Sequence, residues 1–265
     1  MKSERKSKES LPDCELKKEA AMHKETNAAM TGFAARLKEV FAEDLLALVL
    51  YGSAAAGAYQ AGVSDINTLV ILENSSAAKI FRFGKAAKSL LRKNRISPFI
   101  MTREEFITAA DVFPLEYHDI LDTHTIVYGN KEILNIKVNQ ENLRYQLEEK
   151  LRGAVSDLRA MLIAAEGNEK LLAKLILGWS GLGSILFRGL LRLKGRSPRG
   201  LSAEAILGEA ERVYGVSLEG FSVLQRLRQS KKPRLPRAAS AFADTLLEPL
   251  KALVRAVDAM DRAAA

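Results

Sequence analysis

The chain has 265 residues, 48% of them hydrophobic and 6% aromatic, and carries a formal charge of +8 at pH 7. That length holds one large or two ordinary domains, and the Ala- and Leu-rich, aromatic-poor makeup favours helices packed by aliphatic side chains. The single cysteine, Cys14, excludes an intrachain disulfide and a cysteine-built metal site, which suits a reducing cytoplasm.

Residues 1–26 mix Lys, Glu and Ser with little periodicity and read as a mobile charged tail, without the apolar core of a signal peptide. From Asn27 to Asp44, Met30, Phe33, Leu37, Val40 and Phe41 recur at helical spacing and predict an amphipathic helix. LLALVLY (Leu45 to Tyr51) and INTLVIL (Ile66 to Leu72) are short apolar runs of buried-strand type, and the small residues between them predict one or two helical turns. Ser76 to Lys93 reads as a helix with Ile80, Phe83, Ala87 and Leu90 inside. ISPFIM (Ile96 to Met101) is a third strand, placed at an edge by Pro98, which has no ladder donor. Thr102 and Glu105 form a capping box for the helix that follows. THTIVYG (Thr123 to Gly129) is a fourth strand.

After residue 138 the strand signals stop. Leu143, Leu147, Leu151, Val155, Leu158 and Leu162 make one stripe of a long helix, ended at Gly167-Asn168. A second long helix is expected to run to about Lys194, with Gly178, Gly181 and Ser184 as a small-residue stripe. Its apolar segment, Leu171 to Leu191, is interrupted by Lys174 and Arg188, so it is too short to span a bilayer and reads as a buried helix with Trp179 in the core. Helices over about Ala203 to Tyr214 and Leu218 to Gln229 precede the basic connector KKPRLPR, which reads as a solvated loop with some capacity for nucleic acid. A last helix carries Phe242, Leu246, Leu250, Leu253, Val257 and Met260, kinked at Pro249. The organisation is an α/β domain over residues 27–138 and an all-α antiparallel bundle over 139–265.

The chemistry concentrates where the first two strands meet. Gly52-Ser53 closes one strand, eleven residues follow, and Ser64-Asp65-Ile66-Asn67 opens the next. Residues i and i+2 of a strand share a face, so Asp65 and Asn67 project together. A glycine turn offers free amides to an anion, and a neighbouring carboxylate offers a ligand to a magnesium ion. Together they describe a site for a nucleoside triphosphate such as ATP. The plainer roles are a turn cap for Asp65, a strand-edge amide for Asn67 and a helix N-cap for Ser53. His23, His118 and His124 stand alone in sequence and read as structural.

In these residues the chain resembles the nucleotidyltransferases of the DNA-polymerase-beta-like fold, more narrowly the small bacterial and aminoglycoside nucleotidyltransferases. The resemblance covers residues 27 to 130 as a motif-bearing domain and the rest as architecture. It implies a mixed α/β (α+β) sheet with flanking helices, followed by the helical bundle. It also implies Gly52, Ser53 and Ser64 as nucleotide-binding residues, and Asp65 and Asn67 as catalytic and metal-binding positions. The family pattern has three acids holding two magnesium ions. Here Asn67 is an amide, and RISPFIMT, where the third acid belongs, has none. Binding of Mg2+ is therefore expected to be weak. The expected function is nucleotide binding with weak or lost nucleotidyl transfer. Two alternatives stand beside it: an active transferase completed by Glu104 or Glu116, acting on a small molecule, protein or RNA; and an antitoxin-like or scaffolding module that binds a protein partner or a second copy of itself. A membrane partner is not expected.

Overall fold

The computed structural model describes residues 24–57, 65–179, 183–228, 230 and 232–262. Residues 1–23 of the expected charged tail, with Cys14, lie outside these residues, as do Ser64 and Gly181, whereas residues 24–26 of that tail are helical. Helix α1 (Lys24–Phe41) starts three residues before the periodicity predicted and passes through a short 3-10 turn, Ala42–Asp44, into the sheet.

Strands β1 (Leu45–Tyr51), β2 (Ile66–Leu72), β3 (Ile96–Thr102) and β4 (His124–Tyr128) form one mixed sheet in the order β3-β2-β1-β4. The β1 strand is antiparallel to both β2 and β4, whereas β2 and β3 run parallel, joined by the crossover helix α2 (Ala77–Asn94). Pro98 thus lies on an edge strand, where its missing N–H removes no ladder bond. Gly129 ends β4 at φ +95°, and a Cβ there would stand 2.2 Å from the Leu46 carbonyl oxygen, so only glycine fits the crossing.

Alternation along the strands gives the sheet two apolar faces. Leu48, Leu50, Val70 and Leu72 pack with Met30, Phe33 and Leu37 of α1 and Phe83 and Ala87 of α2. Ile80, expected inside, is instead 39% exposed, because the contact face of α2 centres on Phe83 and Ala87. The opposite face, with Val49, Tyr51, Leu69 and Ile71, is covered by α3 (Arg103–Thr108) and α4 (Pro114–Asp122) through Phe106, Tyr117 and Ile120. Thr102 and Glu105 close both arms of the capping box at the start of α3.

The helical part begins with α5 (Gln140–Ala164), whose Leu143, Leu147 and Leu151 stripe is fully buried. The single helix expected after it is two: α6 (Glu169–Gly178) and α7 (Ser184–Leu193). Trp179 and Gly183 have extended backbones and end and start them. Gly178 and Ser184 therefore sit at helix ends and form no continuous stripe. Trp179 is buried in the core, as its composition predicted. Helices α8 (Ala203–Tyr214), α9 (Glu219–Arg228) and α10 (Ala239–Arg262) complete the bundle, with α10 lying along α5. Pro249 deprives the Thr245 carbonyl of its helical donor, and Gly220 of α9 lies against that carbonyl; a Cβ there would be 2.6 Å from it. Among the described residues no helix is long and apolar enough to cross a membrane.

Two of the contacts that tie α4 to the bundle lie at its first turn. Gln146 of α5 accepts the Leu115 N–H at 2.8 Å and donates to Glu116 at 3.0 Å, satisfying an orphan amide in the first turn of α4. Gly189 of α7 meets Leu115, where a Cβ would stand 2.2 Å from Leu115 Cδ2. The missing side chain lets α7 approach α4 at close range, and a cleft lined by Asp119 of α4 and Arg188 of α7 opens beside this contact.

Candidate functional site

Tyr51 ends β1 opposite Asn67, and the chain turns at Gly52 with φ +72°. The Ala56 N–H donates to the Gly52 carbonyl at 3.0 Å. Among the described residues the N–H groups of Ser53, Ala54 and Ala55 have no backbone acceptor, and the Ser53 hydroxyl has no hydrogen-bond partner. A Cβ on Gly52 would lie 3.3 Å from Asn67 Nδ2 and 3.8 Å from Asp119 Oδ2. Gly52, Ser53 and Asn67 thus come together as the spacing predicted.

Asp65 stands at the foot of β2 and is engaged. Arg95, in the left-handed conformation that ends α2, accepts the Ile66 N–H on its carbonyl at 3.0 Å and donates from Nε to Asp65 Oδ1 at 2.8 Å. Both side chains are about half exposed, so the pair holds weakly. On β3 the residue in register with Asn67 is Ser97. Of the alternative acids, Glu104 lies exposed in the first turn of α3, and Glu116 is bonded to Gln146. Among the described residues no three His, Cys, Asp or Glu side chains are grouped as a metal centre requires. One carboxylate held by an arginine, an amide and a hydroxyl are a donor set that does not fit a pair of magnesium ions.

A cleft of about 720 Å³ lies between this turn and the bundle. Gly52 and Ser53 line one wall, and Arg188, Arg192 and Arg199 line the other. Its floor includes Trp179, Phe187 and Phe221, the two phenylalanines meeting edge to face at 5.3 Å. Asp119 and Asp122, three apart on α4, face Arg188 and Arg192, four apart on α7. Asp119 accepts from Arg188 Nη1 at 2.8 and 3.0 Å and from Arg192 Nη2 at 3.4 Å. Asp122 accepts from Arg192 Nε at 2.9 Å and Arg199 Nε at 3.3 Å. Arg192 is 8% exposed, and its Nη1 is buried without an acceptor among the described residues. A buried donor left unmade costs more than a made bond returns, so this nitrogen is an energetic weak point of the network.

The network shapes nearby acid–base behaviour. Burial, then the charges of Asp119 and Glu116, push the Tyr51 hydroxyl up to about 12. Burial, then Arg192, hold the His118 imidazole below its usual range against the opposing pull of Asp122. His124 shares its Nδ1 with the Ile120 carbonyl at 2.9 Å, a structural role. Sequence reasoning did not find Asp119, Asp122, Arg188, Arg192 or Arg199. Their pairings span 69 to 77 residues of chain and leave no local pattern; the one hint is the charged Arg188 within an apolar helix.

No family model matches the chain, and no curated protein matches it in sequence. Among solved structures it is similar to the spectinomycin adenyltransferase AAD(9) from Enterococcus faecialis, crystallised with ATP and spectinomycin. The TM-score is 0.52 at 11% identity, covering 85% of this chain and 99% of that one. This likeness, with the mixed four-stranded sheet and the helical part beyond it, establishes that the chain has an α/β nucleotidyltransferase-like fold followed by a helical region.

Proposed function

We propose that this protein binds a nucleoside triphosphate in the cleft between the Gly52–Ser53 turn and α7, with nucleotidyl transfer weak or lost. The observation that carries the reading is the pairing of two walls. One offers unbonded backbone amides and the Ser53 hydroxyl; the other offers Arg188, Arg192 and Arg199. Amides at a glycine turn and guanidinium forks are the two protein groups best matched to phosphate oxygens. The aromatic floor suits a base. The likeness to a structure holding ATP supports the same ligand.

The loss of transfer rests on the donor set. Asn67 brings no charge to the second ligand position, Ser97 stands beside it on β3, and Asp65 is shared with Arg95. Asp65 and Asn67 then give a magnesium–nucleotide complex one weak protein anchor. Removing a charge that stabilises phosphoryl transfer costs orders of magnitude in rate, at about 1.4 kcal/mol per tenfold.

Isothermal titration with the four ribonucleoside triphosphates, with and without Mg2+, tests the reading. At least one should bind. Ser53→Asp, which sets a carboxylate against the phosphates, should abolish binding, and Asp65→Ala should weaken only the magnesium-dependent part. Absence of binding by all four overturns the proposal, and product formed from labelled nucleotide at an ordinary enzymatic rate overturns the loss of transfer.

A further inference from the structure

Helix α2 lies on the sheet face opposite α4 and the cleft, packing on α1 and the sheet. It carries six basic residues and no acidic one: Lys79, Arg82, Lys85, Lys88, Arg92 and Lys93. Two of them are spent on the fold, because Lys79 pairs with Asp44 and Arg82 donates to the Val40 carbonyl at 3.0 Å. Lys85, Lys88, Arg92 and Lys93 are exposed and have no ion pair or side-chain hydrogen bond among the described residues. Phe81, on the same helix, is 80% exposed.

Phe81, Lys85, Lys88 and Arg92 follow the 4-3-4 spacing of a single helical stripe. At 1.5 Å per residue it runs about 16 Å, with the three cations over the last ~10 Å. A shallow groove lined by Lys85, Lys88, Ser89 and Arg92 runs along it. Four unpaired cations in a small area repel one another, and nothing in the fold requires them there. A linear row of positive charge matches a linear polyanion, and an exposed aromatic beside it matches an unstacked base. A duplex keeps its bases inside and gives Phe81 nothing to stack on. A bilayer is a poorer match, because a surface helix partitions by its apolar face, and that face of α2, Phe83 and Ala87, is committed to the core.

We propose that the outer face of α2 is a binding surface for a single-stranded nucleic acid, with Lys85, Lys88 and Arg92 on successive phosphates and Phe81 stacked on a base. The surface is independent of the cleft and of whether the cleft binds a nucleotide.

Fluorescence anisotropy of a fluorescein-labelled twelve-nucleotide uridine strand with the full chain tests it. The affinity should fall with salt at a log–log slope of about −2 to −3, from three or four phosphates at ~0.7 each. Lys85→Glu/Lys88→Glu should weaken binding at least about tenfold and flatten that slope by about 1.4. Phe81→Ala should weaken it about fivefold or more. All three side chains are exposed, and unchanged circular dichroism melting confirms that the variants fold. Lys232→Glu/Arg234→Glu, an equal charge reversal in the exposed connector, should cost little. Absence of binding at 50 mM salt, or equal loss from the two charge-reversed pairs, overturns the proposal. So does binding of phosphatidylserine vesicles in place of the strand. A duplex held as tightly as the single strand, or Phe81→Ala without effect, overturns the single-strand assignment.

Discussion

Asp119→Ala puts the link between α4 and α7 to the test. Asp119 is 5% exposed and is the one carboxylate on Arg188 among the described residues; it also shares Arg192 with Asp122. Truncation leaves Arg188, whose side chain is 17% exposed, without its counter-ion. Breaking a buried pair from one side costs about 3–5 kcal/mol, mostly from the charge left behind. Partial access of Arg188 to water places the value at the lower end, ~3 kcal/mol, because the orphaned charge is partly solvated. For a chain of this size each kcal/mol lowers Tm by about 2–4 °C, so a fall of roughly 6–12 °C is expected in a calorimetric or circular dichroism melt. Asp119→Asn, which keeps one acceptor, should fall between variant and wild type. The second arm is a rescue: inorganic triphosphate should raise the Tm of Asp119→Ala more than that of the wild type, because the released guanidinium gains an acceptor. A Tm within about 2 °C of wild type refutes the structural weight given to the pair. An equal triphosphate shift in both proteins refutes the assignment of Arg188 to phosphate.

The packing contacts make sharper demands. Gly189→Ala should destabilise by about 1–3 kcal/mol in urea titration, since its methyl overlaps Leu115 Cδ2 at 2.2 Å and Leu147 Cδ2 at 3.0 Å. Gly220→Ala should cost a similar ~1–3 kcal/mol, because the contact at 2.6 Å is with a backbone carbonyl that cannot swing aside. Asp65→Ala should change stability by less than about 1 kcal/mol, as expected of a half-exposed pair, so any loss of nucleotide affinity in that variant is local. His118 is held below its ordinary value of 6.5, so the unfolded chain takes up its proton first. Its contribution is complete above that pH and is lost as the pH falls from there through the lowered folded value. The Tm difference between pH 7.5 and 5.5 should therefore shrink in His118→Gln, and an unchanged difference would exclude this histidine as the cause.

Much of the scaffold was legible in the residues themselves. The runs Leu45–Tyr51 and Ile66–Leu72 are strands at the bounds their composition marks, because a buried strand needs an unbroken apolar stretch and leaves little freedom at its ends. Pro98 announced an edge, and Thr102 with Glu105 announced a helix start, since both are local hydrogen-bond facts. The amide at Asn67 and the missing acid on the third strand were equally visible, because they concern residue identity alone.

Tertiary structure decided the rest. The break between α6 and α7 falls where glycine and serine interrupt the apolar run, at Gly178 to Ser184, but that α7 then packs on α4 through Gly189 is a tertiary fact; Trp179 and Gly183 have extended backbones at the two sides of the break. Asp65 is tied to Arg95 because β2 and β3 are parallel and in register, placing residues thirty apart at the same end of the sheet. The Asp119–Arg188–Arg192 network follows from the close packing of two helices far apart in the chain. Local sequence specifies hydrogen bonds and periodicity over a few residues, whereas charges paired between α4 and α7 exist only once those helices pack.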